Sequence, residues 1–383
     1  MKVVVVGGAG AMGQVIVRDL AESGPVESVV AADFDEGRAS ALRSCIGSPK
    51  VTAAYADVRD VNQLVGALAG ATCVINSTPY YFNLNVMEAA LAAGCHYLDL
   101  GGLFHVTRRQ LELSGRFAER KLLAVPGMGA APGMTNVMAA AGAADLDCLE
   151  SIDIVIGCVD FAAVDHPFYP PYALDTILDE YTKEPMVFED GSFQSRPPMS
   201  GEIEVELPEP VGRSKAIYTL HSEVATLPLS YADKGIKRVT FRLGLPPAFH
   251  ERLKFLVELG FGGQEPLSFE RCSATPREIL AGMIARIPAP KGDPDDCEVV
   301  RVDCRGTKDG KPALVRMETT VRSHDRWKIS CGALDTGVPP SIVAQMIGSG
   351  QIDACGVQPP ETCVPPRPFF EELARRSIVI KKA

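Results

Sequence analysis

The chain has 383 residues, 46% of them hydrophobic and 22% charged, an ordinary globular composition long enough for its core to divide between two domains. Disordered and fibrous architectures are therefore excluded. Lys and Arg together number 38 against 48 Asp and Glu, a formal net charge of −10, the wrong sign for a surface that follows a phosphate backbone or an anionic membrane.

Residues 1–125 alternate short β-rich runs with amphipathic helical stretches, the pattern of a parallel sheet covered on both faces. The opening Lys2 to Val6 reads as a strand rather than a secretory address, because Gly7 and Gly8 break the apolar run at once. Further strands are expected at Glu27 to Ala32, Val51 to Ala56, Thr72 to Asn76, Cys95 to Leu98 and Leu122 to Val125. Met12, Val15, Ile16 and Leu20 lie on one helical face, and Asp35 and Asp60 stand where N-caps belong. Six strands in this order make a doubly wound, Rossmann-type sheet.

After Val125 comes the turn-rich Pro126 to Gly133 and a small-residue helix around Met134 to Ala144. A second α/β domain, 126–338, is expected to hold a mixed sheet with helices on one face. Its strands are Ser151 to Cys158, Glu202 to Leu207, Lys237 to Leu243, Cys297 to Gly306, Ala313 to Val321 and Arg326 to Ala333, and its helices lie near Phe249 to Gly260 and Pro276 to Ile287. The tail, 339–383, contains a helix at Ser341 to Ile347 and a last helix-plus-strand from Phe369 to Ile380. Eleven cysteines without a Cys-x-x-Cys pair suggest neither zinc nor a thioredoxin motif, and fit a reducing cytoplasm. No spacing of His, Asp and Glu reads as a metal site.

Gly8-Ala9-Gly10-Ala11-Met12-Gly13 is a G-x-G-x-x-G string placed between a strand and a helix, the context that makes it a dinucleotide loop. The glycines permit a tight turn, close approach of a pyrophosphate and close packing of helix on strand. Asp33 ends the second strand about 20 residues further on, where a carboxylate binds the ribose hydroxyls and repels a 2′-phosphate. NAD is therefore expected, with NADP disfavoured, and Arg38 is read as a solvated helix-surface residue. Sheets of this kind bind ligands at the carboxyl ends of their strands, which adds Asp57, Val58, Ser77, Thr78, Pro79, Gly101 and Gly102 as cofactor contacts.

Hydride chemistry also needs a group that moves a proton on the substrate. Asp99, at the ligand edge of the fifth strand, is one candidate; capping a turn is its alternative role. His221 with Glu223, in Thr219-Leu220-His221-Ser222-Glu223, is an acid/base and ammonium-binding pair, with a loop making local hydrogen bonds as the alternative. Tyr80 and Tyr81 follow the fourth strand and can wall the nicotinamide pocket or simply pack. His96 is expected to be structural, His250 solvated, and His166 a weaker candidate.

The opening Val5 to Gly13, Asn76-Ser77-Thr78-Pro79-Tyr80-Tyr81-Phe82-Asn83, His96-Tyr97-Leu98-Asp99-Leu100-Gly101-Gly102 and Gly127 to Asn136 together resemble the saccharopine dehydrogenase family, most of all its lysine 6-dehydrogenase branch. The resemblance covers nearly the whole chain. It implies NAD(P)-linked chemistry at a carbon–nitrogen bond, a second domain that carries substrate specificity and forms a homodimer, and a C-terminal segment that returns to the first domain. It also makes Gly129 and Asn136, with Tyr80 and Tyr81, substrate contacts. The leading expectation is oxidation of the lysine ε-amine to an imine. The alternatives are an NADP-linked reductase condensing an aldehyde with an amino acid, as in saccharopine or carboxynorspermidine formation, and a non-catalytic NAD sensor.

Overall fold

The computed structural model describes residues 1–161, 168–270, 273–288 and 292–383; His166 lies outside them. Val3 to Val6 are buried on both faces, as a central parallel strand requires. The strand Lys2–Val6 pairs with Ser28–Asp33 on one side and Cys73–Asn76 on the other, both parallel. Val51–Tyr55, His96–Asp99 and Leu123–Val125 complete the six expected strands. A short seventh, Gly356–Val357, adds in parallel beside Leu123–Val125. The spatial order reverses at Lys2–Val6, so the crevice where dinucleotides bind opens at the carboxyl end of this strand. Asp35 and Asp60 do cap their helices, accepting from the N–H groups of Arg38 and Gln63.

The second sheet is mixed. Ile203–Glu206, Arg213–Tyr218, Arg238–Gly244, Cys148–Asp160, Asp296–Lys308, Lys311–Arg322 and Lys381–Lys382 follow one another across it, and the hairpin Met186–Glu189/Ser192–Ser195 joins Arg238–Gly244. Among the described strands of this sheet, only Arg238–Gly244 and Cys148–Asp160 pair in parallel. One face carries Ile152, Ile154 and Ile156, with Val300, Val302 and Cys304 opposite them. The helix Met134–Ala144 lies on this inner face: a Cβ on Gly142 would stand 2.8 Å from the Cys304 sulfur. The other face holds Asp153 and Asp303 among Arg238, Arg305 and Arg316.

Arg326 to Ala333 do not form the expected strand. They are a turn and the start of an 18-residue helix, Cys331–Gly348, which runs through the expected junction at 338/339. Pro339 and Pro340 sit inside this helix, where each proline removes a backbone donor and crowds the preceding turn. Burial offsets that cost: Leu334, Val338, Ile342, Val343 and Met346 are all buried. The helix lies against Ala11–Glu22 at van der Waals distance, since a Cβ on Gly337 would come within 2.7 Å of Val15. Asp19, buried in that seam, accepts from Ser341 at 2.5 Å and from Arg376 at 2.6 Å, so the tail is tied to the first sheet's layer by a satisfied buried charge.

Candidate active site

The glycine loop has the shape that the sequence implies. A Cβ on Gly13 would lie 2.2 Å from the Gly7 carbonyl oxygen and 2.8 Å from the Gly8 Cα, so only glycine fits. Gly7 has φ +72°, and its carbonyl and that of Val6 both accept from Ser77 Oγ. The helix Ala11–Glu22 starts at Gly10 with no side-chain cap, leaving its first N–H groups to an anion. Asp33 is 4% exposed, and its carboxylate is fixed by the N–H groups of Ala9 (3.0 Å) and Asp35 (3.1 Å). These residues fit a pyridine dinucleotide: Gly8, Gly10, Ala11, Met12 and Gly13 for the pyrophosphate, Asp33 for the ribose.

Arg38 is exposed on its helix, as expected, but its head group is engaged. Its guanidinium reaches back to donate to the Ala9 carbonyl at 2.9 Å, so it braces the dinucleotide loop beside Asp33. Asp57, at the third strand end, is held by Arg59 in a bidentate pair, whose hydrogen bonds lower its carboxyl to about 2. The Val58 carbonyl accepts from Asn85. Thr78 is pinned to Asn76 Oδ1 through both its N–H and hydroxyl, and Pro79 precedes the single turn Tyr80–Phe82.

Asp99 is a correction. It is completely buried, and its oxygens accept from Gly101 N (2.8 Å), Gly127 N (2.7 Å), Tyr97 Oη (2.8 Å) and Gln110 Nε2 (2.6 Å). Burial pushes its carboxyl above the ordinary range against these four donors. The carboxylate thus clips two loops together and turns no lone pair toward a ligand. Asn136 is a second correction: 1% exposed, it accepts from Gly133 N and donates to Glu361 and Thr226. Gly129 is a third, since it is buried in a closed turn bridged to Gly133. His250 is a fourth, being buried rather than solvated, with Nδ1 2.7 Å from Tyr181 Oη.

Tyr80 faces the second domain. Its hydroxyl donates to Asp179 at 2.7 Å and accepts from Lys183 at 2.6 Å, while Asp179 also pairs with Arg277. Burial raises the Tyr80 hydroxyl, so it stays protonated across this bridge. Tyr81 is 58% exposed beside it.

His221 and Glu223 are brought together as expected, and Glu180, Thr135, Tyr172 and Phe241 join them. Nδ1 of His221 lies 2.9 Å from Glu223 Oε2, and Nε2 lies 3.7 Å from Glu180 Oε1, an ion-pair rather than a hydrogen-bond distance. Glu223 is completely buried and accepts from Thr135 Oγ1 at 2.8 Å. Glu180, on the helix Leu174–Thr182, accepts from Tyr172 Oη. The His221 ring stacks on Phe241, centroids 3.6 Å apart. Burial alone would lower its pKa; the Glu223 charge and the two carboxylate contacts outweigh burial and lift it to about 9. The next residue, Ser222, accepts from Gly102 N and Thr107 Oγ1 and donates to the Leu103 carbonyl. The His–Glu group is thereby fastened to the ligand edge of the first sheet, and Gly101 and Gly102, expected as cofactor contacts, stand at packing positions: a Cβ on Gly101 would lie 3.0 Å from Pro132.

Glu180 and Tyr172 belong to no motif, and Thr135 lies within the Gly127 to Asn136 stretch without having been singled out. The signal for Glu180 is a helix written Leu174-Asp175-Thr176-Ile177-Leu178-Asp179-Glu180-Tyr181, in which Asp179 and Glu180 are buried beside Ile177, Leu178 and Tyr181. Buried carboxylates are rare unless paired or functional.

A parallel sheet with an anion-binding glycine loop, joined to a second sheet that holds a charged His between two carboxylates, defines a two-domain pyridine-nucleotide oxidoreductase. Two family models match in succession, the saccharopine dehydrogenase NADP binding domain over residues 3–125 and the saccharopine dehydrogenase C-terminal domain over 129–379, and the chain belongs to the saccharopine dehydrogenase family. It is an NAD(P)-dependent dehydrogenase acting on carbon–nitrogen bonds of amino acids or amines. A carboxyaminopropylagmatine dehydrogenase of Synechocystis sp. is 25% identical over 99% of this chain and 96% of its own length. A carboxynorspermidine synthase of Vibrio cholerae is 25% identical over 85% and 81%. The solved apo saccharopine dehydrogenase (L-Glu forming) of Saccharomyces cerevisiae superposes with a TM-score of 0.74 at 17% identity, covering 100% of this chain and 99% of that one.

Proposed function

We propose that the protein makes or breaks the secondary-amine bond between a short amino-acid semialdehyde and a di- or polyamine. The observation that carries this reading is the His221 group: two carboxylates, Glu180 and Glu223, around one imidazole at the interdomain cleft. The names of the two bacterial relatives, both carboxylated polyamines, favour it over the lysine deamination that the resemblance first implied. "Carboxyaminopropyl" is the four-carbon unit that aspartate semialdehyde would leave on an amine.

In the condensing direction the amine nitrogen bonds to the aldehyde carbon, water departs to leave an imine, and reduction of the C=N bond gives the secondary amine. The dinucleotide supplies the hydride for that reduction when bound. Glu180 and Glu223 attract the ammonium and keep the His221 imidazole charged. With Nδ1 committed to Glu223, Nε2 of the charged ring is the nitrogen that gives a proton to the departing oxygen. Phe241, stacked on the ring, holds its orientation and keeps water off one side.

Asp33 supports NAD as the preferred cofactor, although the matched family domain is described as NADP binding: a carboxylate fixed by two backbone donors has no means of turning away from a 2′-phosphate. The ten described cysteines are unpaired, which supports a reducing, cytoplasmic setting, and homodimerisation is proposed on the family likeness. No helix among the described residues is long and apolar enough to cross a membrane. The test is oxidation of NADH and NADPH with aspartate semialdehyde and a panel of agmatine, 1,3-diaminopropane and lysine, beside NAD reduction with lysine alone. Amine-dependent NADH oxidation supports the reading; lysine oxidation without aldehyde restores the first one.

A further inference from the structure

The inner face of the second sheet changes character toward one end. Along Cys148–Asp160 the inward residues run Ile152, Ile154, Ile156, Cys158 and Asp160, and directly opposite stand Cys304, Val302, Val300, Glu298 and Asp296. An apolar face thus ends in acids. The helix Cys331–Gly348 lies over that end, and its Asp335 comes against Glu298. Asp296 is already engaged, accepting from Cys331 N at 2.8 Å. Asp335 is not. It is completely buried, and neither of its oxygens meets a hydrogen-bond donor among the described residues. Two carboxyls facing one another in this way either share a proton or await a cation. Burial, then the Glu298 charge, push the Asp335 carboxyl well above the ordinary range, and burial raises Glu298 as well.

This end of the face lies beside the dinucleotide loop. Thr336 touches the Gly129 turn, where a glycine Cβ would lie 3.2 Å from its methyl group, and Gly337 packs on Val15 and the Met12 carbonyl beside the dinucleotide loop. Cys158 lies between the two groups: burial and then Glu298 raise its thiol, and burial and then Glu180 raise the Tyr172 hydroxyl that donates to Glu180. The molecule therefore has two anionic stations, one bearing an imidazole and one bearing none.

We propose that the carboxyls of Glu298 and Asp335 bind a second, non-reacting ammonium of the substrate, making the enzyme selective for amines with at least two cationic centres. The proposal rests on the amine-condensing reading above and deepens it. Glu298, half-buried, meets the ammonium first, and Asp335 behind it supplies the second acceptor. The cation takes the place of the shared proton, so a satisfied charge-assisted contact replaces an unsatisfied one. A monoamine of equal reactivity would leave the station empty.

The experiment compares wild type with Glu298→Gln and Asp335→Asn, isosteric changes that remove charge and relieve the carboxyl pair. Condensation with aspartate semialdehyde is followed for 1,3-diaminopropane, agmatine and propylamine, and the same amines are titrated against the thermal unfolding of the NAD-bound protein. In wild type the KM for the diamine is expected to lie about tenfold or more below that for propylamine. In either variant this ratio collapses toward one, while kcat on the diamine stays within about threefold. Equal KM values for diamine and monoamine in wild type, or an undiminished ratio in both variants, overturn the subsite and leave the reaction standing. Absence of turnover with every amine, together with a diamine-specific rise in Tm that Glu298→Gln removes, overturns the reaction and keeps the subsite. Absence of both overturns both.

Discussion

Replacing Glu223 by Gln removes one of the two charges that hold His221 protonated while keeping the shape and the Thr135 contact. In the wild type the imidazole titrates near 9 instead of about 6.5, against the effect of its burial. Each pKa unit is worth about 1.4 kcal/mol, so the pair contributes roughly 3 kcal/mol of pH-dependent stability. The folded-state value is raised, so that stability is fully present below about pH 6.5 and disappears as the pH climbs through 9. The cost of Glu223→Gln is therefore largest at pH 6 and shrinks by up to about 3 kcal/mol by pH 10. Burial then dominates the variant's imidazole and lowers its titration. Denaturant or thermal unfolding of both proteins from pH 6 to 10 measures the first effect. The pH profile of kcat/KM, or the His221 proton resonance, measures the second. A stability difference that is flat with pH, with an unmoved profile, would refute the assignment of His221 as a carboxylate-charged acid.

Asp33→Ala is expected to weaken NAD binding by about tenfold or more, with little change in kcat at saturating cofactor, since its contacts lie far from the hydride; fluorescence titration checks it, and NADP affinity should rise as the like charge vanishes. Gly13→Ala places a methyl group 2.2 Å from the Gly7 carbonyl oxygen, so dinucleotide binding should be lost along with several degrees of Tm, measurable by titration calorimetry and melting. Asp99→Asn presents an amide NH₂ to donors that now meet carboxylate oxygens. It should cost about 3 kcal/mol or more of stability, with the rate of the remaining folded enzyme near normal; a normal Tm with a collapsed kcat would return Asp99 to the chemistry.

The cofactor half was legible because its constraints are local: a glycine loop, a strand-ending carboxylate and two N-caps each act within a few residues of themselves. The helix Cys331–Gly348 escaped for the opposite reason. Pro339 and Pro340 deny it locally, and only burial against Ala11–Glu22 restores it, a tertiary term no window of sequence contains. Asp99 and Glu223 show the same limit at the site. Both are acids at the edge of an element and both are completely buried, yet one is surrounded by four neutral donors and the other by a threonine and an imidazole. Residue type cannot separate a loop clip from a carboxylate that charges an imidazole; the partners do. A usable signal remained in the strand pattern, where Asp296 and Glu298 occupy the inward register of Asp-Cys-Glu-Val-Val. An alternation that turns acids toward the core contradicts the burial rule, and such a contradiction is expected where a sheet gives up stability in order to hold a cation.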